Sequence, residues 1–205
     1  MKIIISKLPK TNWWGDGTPA YPDNPAMKRG VIPNQKLVET ERRQLINTLS
    51  KLNIEVIETP FPKALDSKNP EHDFVYIRDQ FICGENGNAI IMEFRNRERR
   101  KERNYIIPIL EKLGLSILEL PKNSDLFAEG GEFYFCKKEN ILFAGNSRNS
   151  LSGIDAVAKH LDVNNLVILK SNVFHLDAYF CPILSKKGNL CAIICCIKEL
   201  TKASR

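Results

Sequence analysis

The sequence predicts an α/β fold built from a repeated unit of strand, strand, helix and strand. Pairs of β-rich runs separated by short turns recur along the chain, and a helical stretch and another apolar run follow the first two pairs. The unit recurs roughly every 40 to 50 residues, which is typical of rings and solenoids in which neighbouring units complete each other's core. With 205 residues, 43% of them hydrophobic, the chain can bury a sizeable core.

Each repeat consists of short apolar runs between turn residues. In the first, "FVYIRDQFIC" and "NAIIMEF" form a hairpin around "GENG", followed by a helix from about Arg97 to Leu113 and the strand "LSILEL". In the second, "EFYFC" and "ILFAG" flank "KKEN", and a helix from about Ser150 to His160 leads to "NLVILK". A third hairpin, "FHLDAYFCPIL" and "LCAIICCI" around "SKKGN", has no helix or returning strand after it. We therefore expect residues 1–205 to form a single domain that is incomplete at its C-terminus.

A partial repeat precedes these three, with the strand "KIIIS", a helix from about Gln35 to Leu52 and the strand "IEVIE". Residues 9–34 separate its first strand from its helix and are rich in Pro, Gly and Asn, with two adjacent Trp residues. This segment is either a long structured surface loop or a lid over a site, because loops of this length are uncommon without a function.

Composition excludes several classes of protein. The N-terminus lacks a signal-peptide core and no run approaches the ~20 apolar residues of a membrane span, so we expect a cytoplasmic protein without membrane contact. The six cysteines lie mostly in apolar runs, which favours reduced thiols, and without paired zinc spacings neither metal nor cofactor is expected. Much of the net charge of +6 comes from residues 95–103, where Glu98 and Glu102 alternate with basic residues as on a solvated helix face. No nucleic-acid motif accompanies this run.

Five polar side chains interrupt or directly follow the predicted strands: Asp79, Glu129, Arg148, His175 and Asp177. Taken singly, each fits a strand-edge ion pair, a turn or a surface loop. The carboxylates and the His recur at comparable places in successive repeats, however, and the first strands of a ring converge on its axis. We therefore expect these four to face one central pocket. Several carboxylates around a pocket suit a guanidinium, whose N–H groups form a fork, and Arg148 would hold a carboxylate at the ligand's other end.

These residues resemble a known family, the guanidino-group-modifying superfamily that contains arginine deiminases, dimethylargininases and glycine amidinotransferases. "FVYIRDQ" is similar to the family's strand ending in Arg-Asp, "EGGE" to its Glu-Gly-Gly-Asp, "FAGNSRNS" to its Gly-x-Ser-x-Arg segment and "FHLD" to its catalytic His-Leu-Asp. The resemblance runs from about Asp73 to Pro182, with the motifs in the family's order. It implies a five-bladed α/β propeller, the pentein fold, built from strand-strand-helix-strand repeats.

The resemblance also implies a reaction on arginine or an N-methylated arginine. A cysteine thiolate attacks the guanidinium carbon, an amine or ammonia leaves, and water hydrolyses the S-linked intermediate to a ureido product such as citrulline. On this basis His175 is the general acid and base, and Glu129 orients it and contacts the substrate. Asp79 and Asp177 bind guanidinium nitrogens, and Arg148 binds the substrate carboxylate. A His with a pKa near neutrality can both donate and accept the proton.

The chain departs from the family at the nucleophile. The family's catalytic Cys lies well after the His-x-Asp strand and no residue here matches it, so we expect that region to lie beyond residue 205. "RD" and "HLD" are closer to the deiminase pattern than to the dimethylargininase one, which leaves the substrate open. An amidinotransferase, or an inactive protein that only binds a guanidino ligand, is the alternative to a hydrolase. An unclosed ring would also expose apolar faces such as "LCAIICCI", which predicts self-association into a homo-oligomer.

Cys195 is the cysteine that the predicted register of the third hairpin brings near the site. If "SKKGN" is a five-residue loop, Leu184 pairs with Leu190, which sets Cys195 opposite Tyr179. Cys195 would then be diagonal to Asp177, about 7 to 8 Å away. Cys195 is thus either a small buried hydrophobe or a substitute nucleophile, and a slip of one residue would turn it to the other face.

Overall fold

The computed structural model describes residues 2–12, 29–66, 71–84, 87–122, 125–171 and 173–204. Residues 13–28, with both Trp residues, lie outside the described residues. The prediction of either a surface loop or a lid concerns this segment and lies outside them too. The chain forms two compact parts, an N-terminal segment Met1–Ile77 and a C-terminal segment Arg78–Arg205. In the ranges that are described, every helix is too short or too polar to span a lipid bilayer.

The N-terminal segment contains the predicted partial repeat. Strand β1 (Lys2–Ser6) pairs in parallel with β2 (Glu55–Thr59), and helix α1 (Gln35–Lys51) lies between them in the sequence. Parallel neighbours need a long crossover connection, which α1 supplies. The Asn34 side chain accepts a hydrogen bond from the Leu37 backbone N–H at 3.0 Å and so caps the start of α1. The predicted strands and helix are confirmed to within a residue.

The C-terminal segment contains two complete repeats of the predicted topology. Their elements are β3 Phe81–Cys83, β4 Asn88–Ile91, α2 Arg103–Lys112, β5 Ser116–Glu119, β6 Phe133–Cys136, β7 Ile141–Gly145, α3 Leu151–His160 and β8 Asn165–Leu169. In the first repeat β3 pairs antiparallel with β4, and β4 pairs parallel with β5. In the second, β6, β7 and β8 repeat this order. The α/β class and the repeated unit are therefore confirmed.

The third hairpin is formed by β9 (Phe180–Leu184) and β10 (Leu190–Cys195), which pair antiparallel. Leu184 lies opposite Leu190, so the predicted five-residue loop is confirmed. The register then shifts between Leu190 and Ala192, because Cys191 is an extra residue in a β-bulge. Beyond this bulge every later residue of β10 has a partner one position away from the predicted one.

Among the residues that the structure describes, two apolar clusters stabilise the C-terminal segment. The first joins the two complete repeats and consists of Ile90, Met92, Leu120, Leu126, Ala128, Phe133, Leu142, Ala144, Ile154, Val157 and Leu161. The second surrounds the third hairpin and consists of Cys136, Phe143, Leu169, Leu176, Tyr179, Phe180 and Leu200. Full burial of one such large side chain contributes roughly 1.5–3 kcal/mol. These clusters fix the positions of the three hairpins and of the residues that precede them.

The first strand of each hairpin is preceded by a turn of 3-10 helix, and in the first and third hairpins this strand is shorter than predicted. The turns are Ile77–Gln80, Gly130–Glu132 and Leu176–Ala178. In the third, the Ala178 N–H donates to the His175 carbonyl at 3.2 Å, so the chain is bent where a strand was predicted. The β propensity of the surrounding residues is a weak preference that tertiary contacts override.

Candidate active site

The three 3-10 turns position four of the five predicted site residues. Asp79 lies within the first turn and Glu129 directly precedes the second. His175 directly precedes the third turn, and Asp177 lies within it. The prediction that Asp79, His175 and Asp177 lie within strands was wrong, because Asp79 and Asp177 lie in 3-10 turns and the chain turns directly after the extended His175. The structure nevertheless brings the four side chains together, because the three turns occupy equivalent places in packed repeats.

His175 is flanked by two carboxylates. Its Nε2 lies 2.9 Å from Oε2 of Glu129, and its Nδ1 lies 3.7 Å from Oδ1 of Asp79. The His175 and Asp79 side chains are each 7% exposed, and Glu129 is fully buried. A carboxylate at each ring nitrogen favours the doubly protonated, cationic ring, in which both nitrogens donate.

Asp79 is held on its other side by a buried arginine that the sequence analysis did not single out. Arg99 donates from Nη1 to Oδ2 of Asp79 at 2.9 Å, and from Nε and Nη2 to both oxygens of Glu102 at 2.8 and 3.1 Å. The prediction of a solvated helix face for residues 95–103 is thus wrong at Arg99 and Glu102, which are only 3% and 0% exposed. The spacing from these two residues to the buried Ile106 and Leu110 is helical, and this signal could have revealed the buried face.

Asp177 forms an ion pair with the arginine that precedes Asp79 in the sequence. Arg78 Nε donates to Oδ2 of Asp177 at 2.8 Å, and the two side chains are 45% and 26% exposed. Asp79 of the "RD" motif and Asp177 of the "HLD" motif are therefore each paired with an arginine, and the partner of Asp177 comes from a different hairpin. Asp177 was predicted as a site residue, and Arg78 was not.

Arg148 lies beside Glu129. Its Nε is 3.3 Å from Oε2 of Glu129, and its guanidinium lies 4.8 Å from the centre of the Phe174 ring. The side chain is 10% exposed. The structure thus places Arg148 next to the same carboxylate that contacts His175, and its binding of a substrate carboxylate stays a prediction.

Glu132, the last residue of "EGGE", connects the second and third repeats. It is fully buried and accepts hydrogen bonds from the Arg148 N–H at 2.7 Å, the Leu176 N–H at 2.9 Å and the hydroxyl of Ser147. Since Leu176 directly follows His175, this carboxylate fixes the backbone next to the imidazole as well as that of Arg148. Glu132 was not predicted as a site residue, although it belongs to the "EGGE" motif.

Gly131 provides the space in which the polar groups meet. A Cβ at this position would lie 2.7 Å from Nδ1 of His175, 2.8 Å from Oδ1 of Asp79 and 3.1 Å from Oδ2 of Asp177. Distances below 3.0 Å are closer than carbon tolerates, so only glycine allows these three atoms to converge here.

The charges of the site follow from burial and from these contacts. Burial raises the pKa of Glu129, but the hydrogen bond from His175 and the charge of Arg148 outweigh it and hold the pKa at about 2. Burial lowers the pKa of His175, but the hydrogen bond to Glu129 and the charge of Asp79 outweigh it, so the pKa is raised. Burial raises the pKa of Asp177, and Arg78 opposes this effect. These contacts favour the cationic form of His175 and the anionic form of Glu129.

The structure does not bring Cys195 to this site. Because of the bulge at Cys191, Cys195 lies opposite Phe180 instead of Tyr179, and it packs against the second apolar cluster. Burial raises the pKa of its thiol, which disfavours the thiolate. The predicted register, on which its interpretation as a substitute nucleophile depended, is therefore wrong, and Cys195 is a half-buried side chain packed against an apolar cluster. In the described part of the chain, no three His, Cys, Asp or Glu side chains group in a way that could hold a metal ion.

The repeated α/β topology and this His, carboxylate and arginine cluster define the class, the guanidino-group-modifying or pentein superfamily. Within it, the chain belongs to the family described as eukaryotic N,N dimethylarginine dimethylhydrolase, which it matches over residues 25–201. The matched range contains all five predicted site residues.

Two curated relatives are similar over about half of the chain. The bifunctional arginine dihydrolase/ornithine cyclodeaminase ArgZ of Synechocystis sp. is 34% identical over 106 residues, which are 50% of this chain and 14% of that protein. The enzyme AgrE of Nostoc sp., with the same description, is 33% identical over 100 residues, 47% of this chain and 14% of that protein. The aligned region thus spans a small part of both relatives' length.

Solved structures show the same fold. The N-terminal domain of ArgZ, covalently bound to a reaction intermediate, superimposes with a TM-score of 0.79 at 25% identity, covering 99% of this chain and 69% of that one. A dimethylarginine dimethylaminohydrolase adduct with S-methyl-L-thiocitrulline gives a TM-score of 0.66 at 14% identity, covering 87% of this chain and 65% of that one. The second likeness supports the fold alone.

Proposed function

We propose that this protein contributes the binding and proton-transfer part of a hydrolase acting on the guanidino group of arginine or an N-methylated arginine. The observation that carries the proposal is the buried His175, which has Glu129 at one ring nitrogen and Asp79 near the other. Expulsion of an amine from a cationic carbon requires a group that holds a proton near neutral pH and can release it. A histidine within a carboxylate-lined site is such a group.

In the proposed reaction a cysteine thiolate adds to the guanidinium carbon and the C–N bond to the leaving nitrogen breaks. His175 donates its proton to that nitrogen, so ammonia or a methylated amine leaves and an S-linked amidino intermediate remains. The neutral imidazole then takes a proton from the attacking water. Loss of the thiolate gives the ureido product, citrulline. Glu129 keeps His175 charged in the first step and stabilises its return to the charged state in the second.

Asp79 and Asp177 are proposed to accept hydrogen bonds from the substrate guanidinium. Both carboxylates lie within the cluster around Gly131, and Arg99 holds Asp79 while Arg78 holds Asp177. A guanidinium is recognised by carboxylates on adjacent sides because its N–H groups point outward in one plane. Arg148 is proposed to bind the substrate carboxylate.

This chain covers 69% of the ArgZ N-terminal domain. We propose that the thiolate comes from a part of the fold that corresponds to the uncovered remainder of that domain. Structures of that domain include a covalent reaction intermediate and a Cys-to-Ser mutant bound to substrate, which supports a covalent thiolate mechanism. We also propose that residues 1–205 belong to one domain of the five-bladed propeller type, because the two three-stranded sheets have the same topology.

The test uses the 205-residue protein. Calorimetry with L-arginine and with N,N-dimethyl-L-arginine measures binding, and a colorimetric citrulline assay measures turnover. Citrulline formed without an added amine supports the hydrolase. Transfer that depends on an amine acceptor would favour the amidinotransferase instead. Binding without turnover fits the proposal, because the thiolate is proposed to come from outside residues 1–205. No heat with either ligand at millimolar concentration would overturn the proposal.

A further inference from the structure

Arg78 is held by three different groups. Its Nε donates to Oδ2 of Asp177 at 2.8 Å, its Nη2 donates to the Phe133 carbonyl at 2.7 Å, and its guanidinium lies 4.3 Å from the centre of the Tyr134 ring. An exposed arginine is usually disordered, because an ordered surface ion pair has an entropic cost. Three contacts in fixed directions give this guanidinium one orientation although 45% of the side chain is exposed.

The oxygen that Arg78 holds is the one that faces the catalytic groups. Oδ2 of Asp177 lies 3.1 Å from a Cβ placed on Gly131, next to Nδ1 of His175 and Oδ1 of Asp79. The position of this inner oxygen therefore depends on Arg78. A substrate guanidinium that approaches His175 and Asp79 meets Asp177 on the same side.

Resting on the function proposed above, we propose that Arg78 is a positioning residue for the guanidino substrate. By holding the inner oxygen of Asp177, it keeps this carboxylate ionised and oriented to accept a substrate N–H. Arg78 has the same charge as the substrate, so it acts through Asp177 and opposes binding only by a repulsion that water screens. Without Arg78, Asp177 remains but is less well oriented and more easily protonated, and we expect this weakening of a charged hydrogen bond to outweigh the relief of a screened repulsion.

The chain offers a matched control in Arg100. Like Arg78, Arg100 contacts an aromatic ring, a backbone carbonyl and a carboxylate: its guanidinium lies 5.6 Å from the centre of the Phe127 ring, and its Nε lies 2.8 Å from the Phe94 carbonyl and 3.2 Å from Glu93. None of these three contacts involves Asp177. Replacement of Arg100 thus reports the general cost of losing a stacked, paired arginine.

Binding of L-arginine is measured by calorimetry in the 205-residue protein and in its Arg78→Met and Arg100→Met variants. Arg78→Met is expected to weaken binding about tenfold or more, and Arg100→Met less than about twofold. Asp177→Asn is expected to weaken binding too. Adding Arg78→Met to it should cause little further loss of affinity, because substitutions of two residues that act as one unit do not have additive effects.

A pH series separates positioning from a structural role. Without Arg78, the carboxylate of Asp177 keeps the effect of burial and loses the opposing cation, so its pKa rises further. Arginine affinity in Arg78→Met should therefore begin to fall at a higher pH than in the wild type as the solution is acidified. A purely structural loss would weaken binding equally at every pH.

The outcomes distinguish this inference from the proposed function. No binding by the wild type overturns the proposed function, and the inference falls with it. Wild-type binding with equal or tighter binding by Arg78→Met, or equal losses in Arg78→Met and Arg100→Met, overturns only the role of Arg78. If Arg78→Met does not fold, Arg78→Lys replaces it. This variant keeps the charge but not the fork, and it should still bind several-fold more weakly than the wild type; unchanged affinity in it would overturn the role.

Discussion

His175 and Glu129 lie 46 residues apart in the sequence, yet Nε2 of the imidazole is 2.9 Å from Oε2 of the carboxylate. Both side chains are buried, so their interaction is weakly screened. This relationship explains why the pKa of His175 is raised while that of Glu129 is lowered to about 2. Each charge stabilises the other, and the removal of one leaves the other buried without its closest partner.

Replacement of Glu129 by Gln should lower the pKa of His175, because burial remains while the hydrogen-bonded negative charge disappears. A pH titration of the His175 ring signals by NMR measures the change. Glu98→Gln, which alters an exposed carboxylate of the 3-10 stretch Arg97–Glu102, serves as the control and should leave the titration unchanged. An unshifted His175 in Glu129→Gln would contradict the pairing.

The same pair predicts how stability depends on pH. The pKa of Glu129 is depressed to about 2, so its contribution is present above the unfolded value of about 4.3 and is lost as the pH falls. The pKa of His175 is raised, so its contribution is present below about 6.5 and is lost as the pH rises through the folded value. The stabilisation should thus be greatest between about pH 4.5 and 6.5.

Urea unfolding of the wild type and of a Glu129→Gln, His175→Asn double variant measures this dependence. The difference in free energy of unfolding should reach a maximum in that window, on the order of 3 kcal/mol, since one pKa unit corresponds to about 1.4 kcal/mol. A difference that does not change between pH 3 and pH 9 would show that the pair is not charged in the folded protein.

Glu132→Gln should destabilise the protein by about 1–3 kcal/mol, because an amide NH₂ replaces one acceptor oxygen and leaves a buried donor unpaired. The wild-type carboxylate accepts from Ser147 and from the N–H groups of Arg148 and Leu176. The control is Glu139→Gln, since half-buried Glu139 accepts one backbone N–H, from Leu190, and the change should cost less than about 1 kcal/mol. Equal losses in urea denaturation would contradict the connecting role of Glu132.

Gly131→Ala should weaken arginine binding by more than about tenfold, because the new methyl group would lie 2.7 Å from His175 and 2.8 Å from Asp79. The side chains must move apart to accommodate it. Calorimetry measures binding, and a thermal unfolding curve that remains cooperative shows that the variant still folds. Wild-type affinity in Gly131→Ala would mean that the three polar groups do not converge at this position when ligand is bound.

Thiol labelling should rank the cysteines by exposure and pKa. Exposed Cys191 and Cys196 should react with iodoacetamide first, Cys195 more slowly because burial raises its pKa, and buried Cys136 last. Mass spectrometry of digested protein after timed labelling measures the order. If Cys195 reacted faster than Cys191, it would carry an activated thiolate, which the packing against the second apolar cluster contradicts.

The sequence by itself determined the repeated topology. Short apolar runs, turn residues and helical spacing are local features, and they located α1, α3 and most strands to within a few residues. The helix predicted from about Arg97 begins as a 3-10 helix and becomes α-helical only at Arg103. The five candidate residues were also identifiable, because a polar side chain interrupting an apolar run is visible without knowledge of the fold. Their assembly followed from the repeat itself, since equivalent places in successive repeats lie close together.

Only the tertiary structure decided the partners. The pairs Arg78 with Asp177 and Arg99 with Asp79 join residues from different parts of the chain, and local patterns carry no signal for such distances. The bends at Asp79 and His175 have the same cause, because their buried contacts outweigh the β propensity of the neighbouring residues. Cys195 shows most directly what local patterns miss. One extra residue at Cys191 moved its partner from Tyr179 to Phe180 and so changed its face of the hairpin, since side chains alternate between faces along a strand.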